Sequence, residues 1–230
     1  MAIFSSIPAK EYVCLKNLDL YDSSECTQLS TQAGQGRHLI LLEQTQNHFL
    51  VKLCEDDYQA WLSCQDLMSI QESTDPYQAS VIERVEIERR LGSVLEFTLL
   101  AGKQDNFYLW GGTVGPNYDC SGLIQSAFAS AGIWLPRNSY QQEEFTTRIA
   151  VSELIAGDLI FFGSIKINHV ALYLGHGNYI HSSGGRNGIE IDHLWQDKDE
   201  VAKKYNREIV SYGRVERGYR TKCNDQPTSR

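Results

Sequence analysis

The sequence predicts an α+β protein in two parts, a small all-β unit over residues 1–75 and a mixed helical and stranded domain over 76–218. Three observations predict it. Residues 12–68 carry only short apolar runs between turn-prone clusters, with no helical period lasting three turns. Helical spacing then appears twice, over about residues 81–102 and again from Cys120 to Ala131, before strand-like runs return. Charge divides the same way. Residues 1–80 hold four basic against eleven acidic side chains, net −7, and residues 81–230 hold seventeen against eighteen, net −1.

The strands of the first half are read at residues 39–42, 49–54 and 60–62. Asp22-Ser23-Ser24, Gly34-Gln35-Gly36, Gln46-Asn47 and Glu55-Asp56-Asp57 separate the runs, and a turn about every ten residues suggests a small barrel or sandwich. Ser73-Thr74-Asp75-Pro76 reads as the linker, because a proline disfavours helix at the residue before it. Ser80-Val81-Ile82-Glu83 has the form of a capping box. Val81, Val85, Leu91, Val94, Leu95 and Thr98 would then line one helix ending near Ala101-Gly102. A second helix follows Cys120, with Leu123, Ile124, Ala127, Phe128 and Ala131 as its apolar stripe and Gly132 as its stop. Residues 157–163 read as a turn and a buried strand. Residues 167–175 and 178–183 read as a hairpin around His176-Gly177. The tail, 219–230, reads as loose.

The whole chain has 230 residues, 42% hydrophobic and 22% charged, a net charge of −8 and a pI near 5.3. That balance argues against nucleic acid and anionic membranes as partners, since phosphate neutralisation needs Lys and Arg. No stretch approaches the roughly 20 apolar residues of a membrane helix. The N-terminus lacks the basic and apolar regions of a signal peptide, so the expected location is cytoplasmic. The six cysteines contain no C-x-x-C and are expected as free thiols, most of them small buried hydrophobes.

One cysteine has different surroundings. Cys120 falls in the first turn of its helix, between Asp119 and Ser121, where unpaired N–H groups and the helix dipole favour thiolate over thiol. A nucleophilic thiol needs a base, and the base needs an orienting group. In the hairpin, His169 shares a face with Ala171 and Tyr173 and lies near His181, so one imidazole can take the thiol proton while the other holds it in place. Cys120, His169, His176 and His181 could instead be zinc ligands, but soft thiolate sites need convergent geometry. No metal or cofactor is expected.

These segments carry two resemblances. The strand pattern over about residues 8–70, with the polar turn at Asn17-Leu18, Gly36 before an apolar strand, an acidic turn and Tyr58-Gln59-Ala60-Trp61-Leu62, resembles a bacterial SH3-like domain. The ordered set Tyr-Leu-Trp-Gly-Gly (108–112), Asp-Cys-Ser-Gly-Leu (119–123), Leu-Pro-Arg-x-Ser-x-x-Gln (135–142), Gly-Asp-Leu-Ile-Phe-Phe (157–162), His-Val-Ala-Leu-Tyr-Leu-Gly (169–175) and Tyr-Ile-His (179–181) resembles the NlpC-type cysteine peptidase family. That resemblance implies a papain-like domain with Cys120 as nucleophile, His169 as base and His181 as its polar orienter. It also implies cleavage of peptidoglycan stem peptides between γ-D-glutamate and a diamino acid. Ala156 stands where the family usually has Pro.

Relatives that join the two domains wall off a pocket for a free N-terminal L-alanine. The resemblance therefore implies a murein stem peptide, L-Ala-γ-D-Glu-diamino acid, as the partner, with no nucleic acid, membrane or obligate protein partner. The matching positions are Tyr58, Tyr108, Trp110, Asp119, Ser121 and Ser139. Asp119 would supply the counter-charge of an ammonium, and Tyr and Ser oxygens would accept its hydrogen bonds. Core packing is the alternative for Tyr108 and Trp110. Arg137 is assigned no pocket role, an exposed salt bridge being equally open to it. The acidic first domain would favour approach of a cationic N-terminus. The competing reading is a wall-polymer binding module with an idle catalytic domain.

Overall fold

The structure is a computed structural model and describes residues 10–221. The chain forms two compact units, one taking it up to Ser80 and again from Tyr219, the other Val81–Gly218.

The N-terminal unit has seven strands: β1 (Glu11–Cys14), β2 (Leu18–Tyr21), β3 (Leu29–Ala33), β4 (His38–Gln44), β5 (His48–Leu53), β6 (Gln59–Ser63) and, after a 3-10 turn at Cys64–Ser69, β7 (Ile70–Glu72). They form one antiparallel sheet in the order β3-β2-β6-β5-β4-β1-β7. Alternate residues point inward, so Leu39 and Leu41, Phe49, Val51 and Leu53, and Ala60 and Leu62 meet Leu18 and Leu20 in a single apolar cluster. The acidic turn is more than a turn. Glu55 and Asp56 are buried against Arg37, whose Nε lies 3.1 Å from Glu55 and whose Nη2 lies 3.1 Å from Asp56.

Two boundaries differ from expectation. Residues 76–80 stay with the first unit. The Tyr77 N–H donates to the Glu11 carboxylate, and its ring lies 6.0 Å from that of His38. The tail begins held rather than loose, because Tyr219 Oη and Thr221 Oγ1 donate to the Asp57 carboxylate at 3.1 and 2.7 Å. The rest of it, 222–230 with Cys223, lies outside the described residues.

The second unit has helices α1 (Arg84–Gly102), α2 (Cys120–Ser130), α3 (Ser139–Phe145) and α4 (Glu200–Arg207). Its strands are β8 (Thr147–Ile149), β9 (Leu159–Gly163), β10 (Ile167–Gly175), β11 (Asn178–Ser183), β12 (Gly188–His193) and β13 (Ile209–Arg214), an antiparallel sheet ordered β12-β11-β10-β9-β13-β8. One sheet face, with Phe161, Val170, Leu172 and Ile180, packs under α1 and α2. The other gathers Ile160, Phe162, Ala171, Tyr173 and Tyr179 with Tyr205 of α4. Both faces are covered, which is why β9 reads as an unbroken apolar run.

Helix α1 starts later than the capping-box pattern predicts. The Ile82 carbonyl accepts from Gly218 N and Glu83 bridges to Arg217, which keeps residues 82–83 extended. Glu83 is therefore the N-cap, and Ser80 caps nothing here. The buried stripe is Ile87, Leu91, Val94, Thr98 and Ala101, while Val81 and Val85 are exposed. Among the described residues, no helix is long and apolar enough to cross a membrane.

Candidate active site

Cys120 is the first residue of α2, and Asp119 is its N-cap. The Asp119 carboxylate accepts from Gly122 N at 2.7 Å and from Gly111 N at 2.9 Å, and Asp119 N donates to Gly112 O. The Trp-Gly-Gly turn is thus tied to the helix start. Two glycines make the fit possible. Gly111 sits at φ +79°, and a Cβ on Gly122 would come within 2.0 Å of Gly112 O.

His169 sits beside a local irregularity. Ile167 pairs with Gly163 but His169 pairs with Phe162, so β10 carries one extra residue, Asn168, opposite β9. Such a bulge turns the side chain beside it. Cys120 Sγ lies 3.9 Å from the carbonyl oxygen of that same Asn168, and the Val170 N–H also bonds the sulfur. Cys120 therefore rests on the backbone that flanks His169. A further tie joins the segments: Ser182 Oγ of β11 donates to Tyr118 O at 2.6 Å.

His169 and His181 share one sheet face, as strand alternation predicts, with Nε2 of the first 2.7 Å from Nδ1 of the second. Tyr205 packs on both rings, at 4.7 and 4.8 Å between centroids. Burial drives the His169 pKa well below its ordinary value, helped by His181 and Lys204. Burial lowers that of His181 too, against the pull of Asp192. Burial and then Asp119 push the Cys120 thiol up to about 12. The helix-start thiolate expected from sequence is not the resting state. The pair rests as thiol and neutral imidazole, so the thiol proton has to be taken by a base during reaction.

The other expected positions fall as follows. Tyr108 is half-buried, and burial followed by Cys120 and Asp119 raises its hydroxyl. Trp110 is 62% exposed, so it is no core residue. Ser121 and Ser139 are buried, Ser139 opening α3. Tyr58 lies in the N-terminal unit, its hydroxyl 2.8 Å from Ser30 Oγ. Arg137 differs from expectation: it is 2% exposed, and its guanidinium bonds both oxygens of Asp119 and, at 2.9 Å, Ser121 Oγ. The Asp119 charge, expected to face an ammonium, already faces a guanidinium. His176 sits in the β10–β11 turn with its carbonyl on His193, and among the described residues no group of three or more His, Cys, Asp or Glu could hold a metal ion.

Two residues, Asp192 and Tyr205, escaped the sequence reading, and a third, Arg137, was read only as open to an exposed salt bridge. Asp192, fully buried on β12, lies 3.2 Å from His181 Nε2, and extending the hairpin by one more strand would have found it. Arg137 had a signal in Asp119, a carboxylate that burial would strand without a cation. Tyr205 had none, since α4 reaches the histidines only through the tertiary fold.

A thiol at a helix start, close to the backbone that flanks a buried histidine pair, is an arrangement that can do thiol-nucleophile chemistry. Residues 105–208 match the NlpC/P60 family, and residues 20–67 match the bacterial dipeptidyl-peptidase SH3 domain. Similar curated proteins include the bifunctional muramidase/DL-endopeptidase CwlT of Bacillus subtilis, 38% identical over 47% of this chain and 32% of that one. The gamma-D-glutamyl-L-lysine dipeptidyl-peptidase of Bacillus cereus is 41% identical over 36% of this chain and 26% of that one. These matches cover a third or less of the length of either relative. A solved NlpC/P60 family structure from Bacillus cereus, 25% identical, has a TM-score of 0.49 over 90% of this chain and 64% of that one.

Proposed function

We propose that this protein is a cysteine endopeptidase that hydrolyses the γ-D-glutamyl-L-diamino acid bond of free murein peptides bearing an unblocked N-terminal L-Ala. We place it in cytoplasmic recycling of cell-wall peptides. The observation that carries the reading is the Cys120 thiol seated on the backbone flanking His169, with His169 bonded to His181. The relatives named dipeptidyl-peptidases support the choice of bond.

His169 takes the Cys120 proton, and the sulfur attacks the γ-carbonyl carbon of D-glutamate. The oxyanion meets the Cys120 N–H, one of the helix-start donors without an intrahelical partner. The imidazolium returns its proton to the departing amine, leaving a thioester. Water, deprotonated by the same imidazole, attacks the thioester carbon, the C–S bond breaks, and the imidazolium proton passes to the Cys120 sulfur as L-Ala-γ-D-Glu leaves. His181 keeps the His169 ring oriented throughout. Tyr108, Ser121 and Ser139 supply oxygens for the substrate ammonium, and Trp110 supplies an apolar wall or a π face. Asp119, neutralised by Arg137, acts in this scheme by holding the helix start and polarising Ser121.

Incubation with L-Ala-γ-D-Glu-diaminopimelate and mass detection tests the reading. The native protein releases L-Ala-γ-D-Glu and Cys120→Ala releases none, and N-acetylating the alanine stops cleavage. Equal turnover by the two proteins, or retention on sacculi without hydrolysis, would overturn it.

A further inference from the structure

Behind His181 lies a charged cluster that the scheme above does not use. Asp192 Oδ2 lies 3.2 Å from His181 Nε2 and accepts from Arg186 Nε at 3.1 Å. Its Oδ1 takes Arg186 Nη2 at 2.7 Å and Lys198 Nζ at 2.8 Å. The Asp192 side chain is fully buried, as is that of His181. Arg186 is held in turn by Asp199. Tyr179 packs on the His181 ring, and Tyr205 and Lys204 of α4 stand on the histidine side.

We propose that Asp192, through its bond to His181, sets the tautomers of both histidines and leaves His169 Nδ1 as the bare nitrogen that takes the Cys120 proton. A count of protons leads there, on the cysteine-nucleophile reading. Among these atoms a carboxylate can only accept, and Arg186 and Lys198 keep Asp192 ionised. His181 Nε2 must then carry a proton. Burial keeps His181 neutral, so its Nδ1 is bare and can only accept. His169 Nε2, 2.7 Å away, must therefore donate. Neutral His169 has one proton, now placed on Nε2, and its Nδ1 lone pair is free. When the S–H bond of Cys120 breaks, that proton forms the Nδ1–H bond and the electron pair stays on sulfur. The opposite arrangement, with protons on both Nδ1 atoms, would leave Asp192 facing a bare nitrogen and His169 with no base. Asp192 is a positioning residue, because it acts through His181.

The asymmetry of its partners sharpens the test. In Asp192→Asn the amide nitrogen avoids the Oδ1 position, where two cationic donors point, for the Oδ2 position, where only Arg186 Nε does, and so settles opposite His181. There it donates to Nε2 and reverses both tautomers. Nitrogen NMR of the 15N-histidine-labelled full chain reads this without substrate. The native spectrum should show both histidines protonated at Nε2, and Asp192→Asn should move the protons to Nδ1. Iodoacetamide labelling of Cys120 should slow about 100-fold near neutral pH in Asp192→Asn, the two rates converging as pH rises and hydroxide replaces the base. Lys198→Met loses one Oδ1 partner but keeps the His181 bond, and should retain the native spectrum and labelling profile. A native His169 protonated at Nδ1 overturns the proposal even if Asp192→Asn does not fold. Unchanged tautomers in Asp192→Asn, or equal loss in Lys198→Met, also overturn it. Failure of peptide cleavage with native tautomers and labelling intact would remove the substrate assignment and leave this inference standing.

Discussion

At the scale of single residues, the site is governed by what each buried polar group is given as a partner. Asp119 is the clearest case. Next to Cys120 it would deter thiolate formation and cost several kcal/mol to bury, and Arg137 answers both problems at once. Removing the guanidinium strands the carboxylate. Arg137→Met should therefore destabilise the protein by about 3–5 kcal/mol in chemical denaturation. A loss under about 1 kcal/mol would mean that Asp119 finds other partners. Lys cannot replace this arginine without loss, since one ammonium does not reproduce a fork that spans both carboxylate oxygens and Ser121.

At the scale of elements, the geometry of the candidate site depends on two departures from regularity. The extra residue Asn168 in β10 turns His169 relative to the ladder, and Gly122 lets the first turn of α2 close on Gly112. The second is easily tested. Gly122→Ala places a methyl group where only the Gly112 carbonyl fits, so the helix start must shift. The expected cost is about 1–3 kcal/mol of stability, with kcat falling more than KM changes, because the nucleophile moves with its turn. Native melting temperature and native kcat would contradict this. The same logic explains the misplaced start of α1. Ser80-Val81-Ile82-Glu83 satisfies a local capping rule, but pairing with residues 217–218 holds 82–83 extended.

At the scale of the molecule, charge that composition treats as a surface property is partly structural. Glu55 and Asp56 contribute to the −7 of the first 80 residues, yet both are buried on Arg37. The histidines add a pH dependence. Burial lowers both pKa values below 6.5, so below that pH the unfolded chain binds protons that the folded one does not. The stability they contribute is full above 6.5 and is lost as pH falls beneath it, each histidine giving a slope of at most about 1.4 kcal/mol per pH unit. Thermal unfolding from about pH 8 to about pH 5 should show the decline, and His181→Asn should flatten it. A native profile level through that range would contradict the buried neutral pair.

What the sequence determined by itself is what short-range order carries. Short apolar runs between turn signals placed the strands at 39–42 and 49–54, alternation set the faces of 167–175, helical spacing put Cys120 at a helix start, and hairpin geometry brought His169 to His181. These depend on residues close along the chain, where period and turn chemistry are enough. Only the tertiary structure decided the partners of the buried charges. Arg137 meets Asp119 from eighteen residues away, Tyr205 closes over the histidines from a later helix, and Thr221 is pinned by Asp57 across 164 residues. The thiol's protonation was decided there as well. A helix start favours thiolate by a local dipole, but the burial that outweighs it comes from elements the local sequence cannot see.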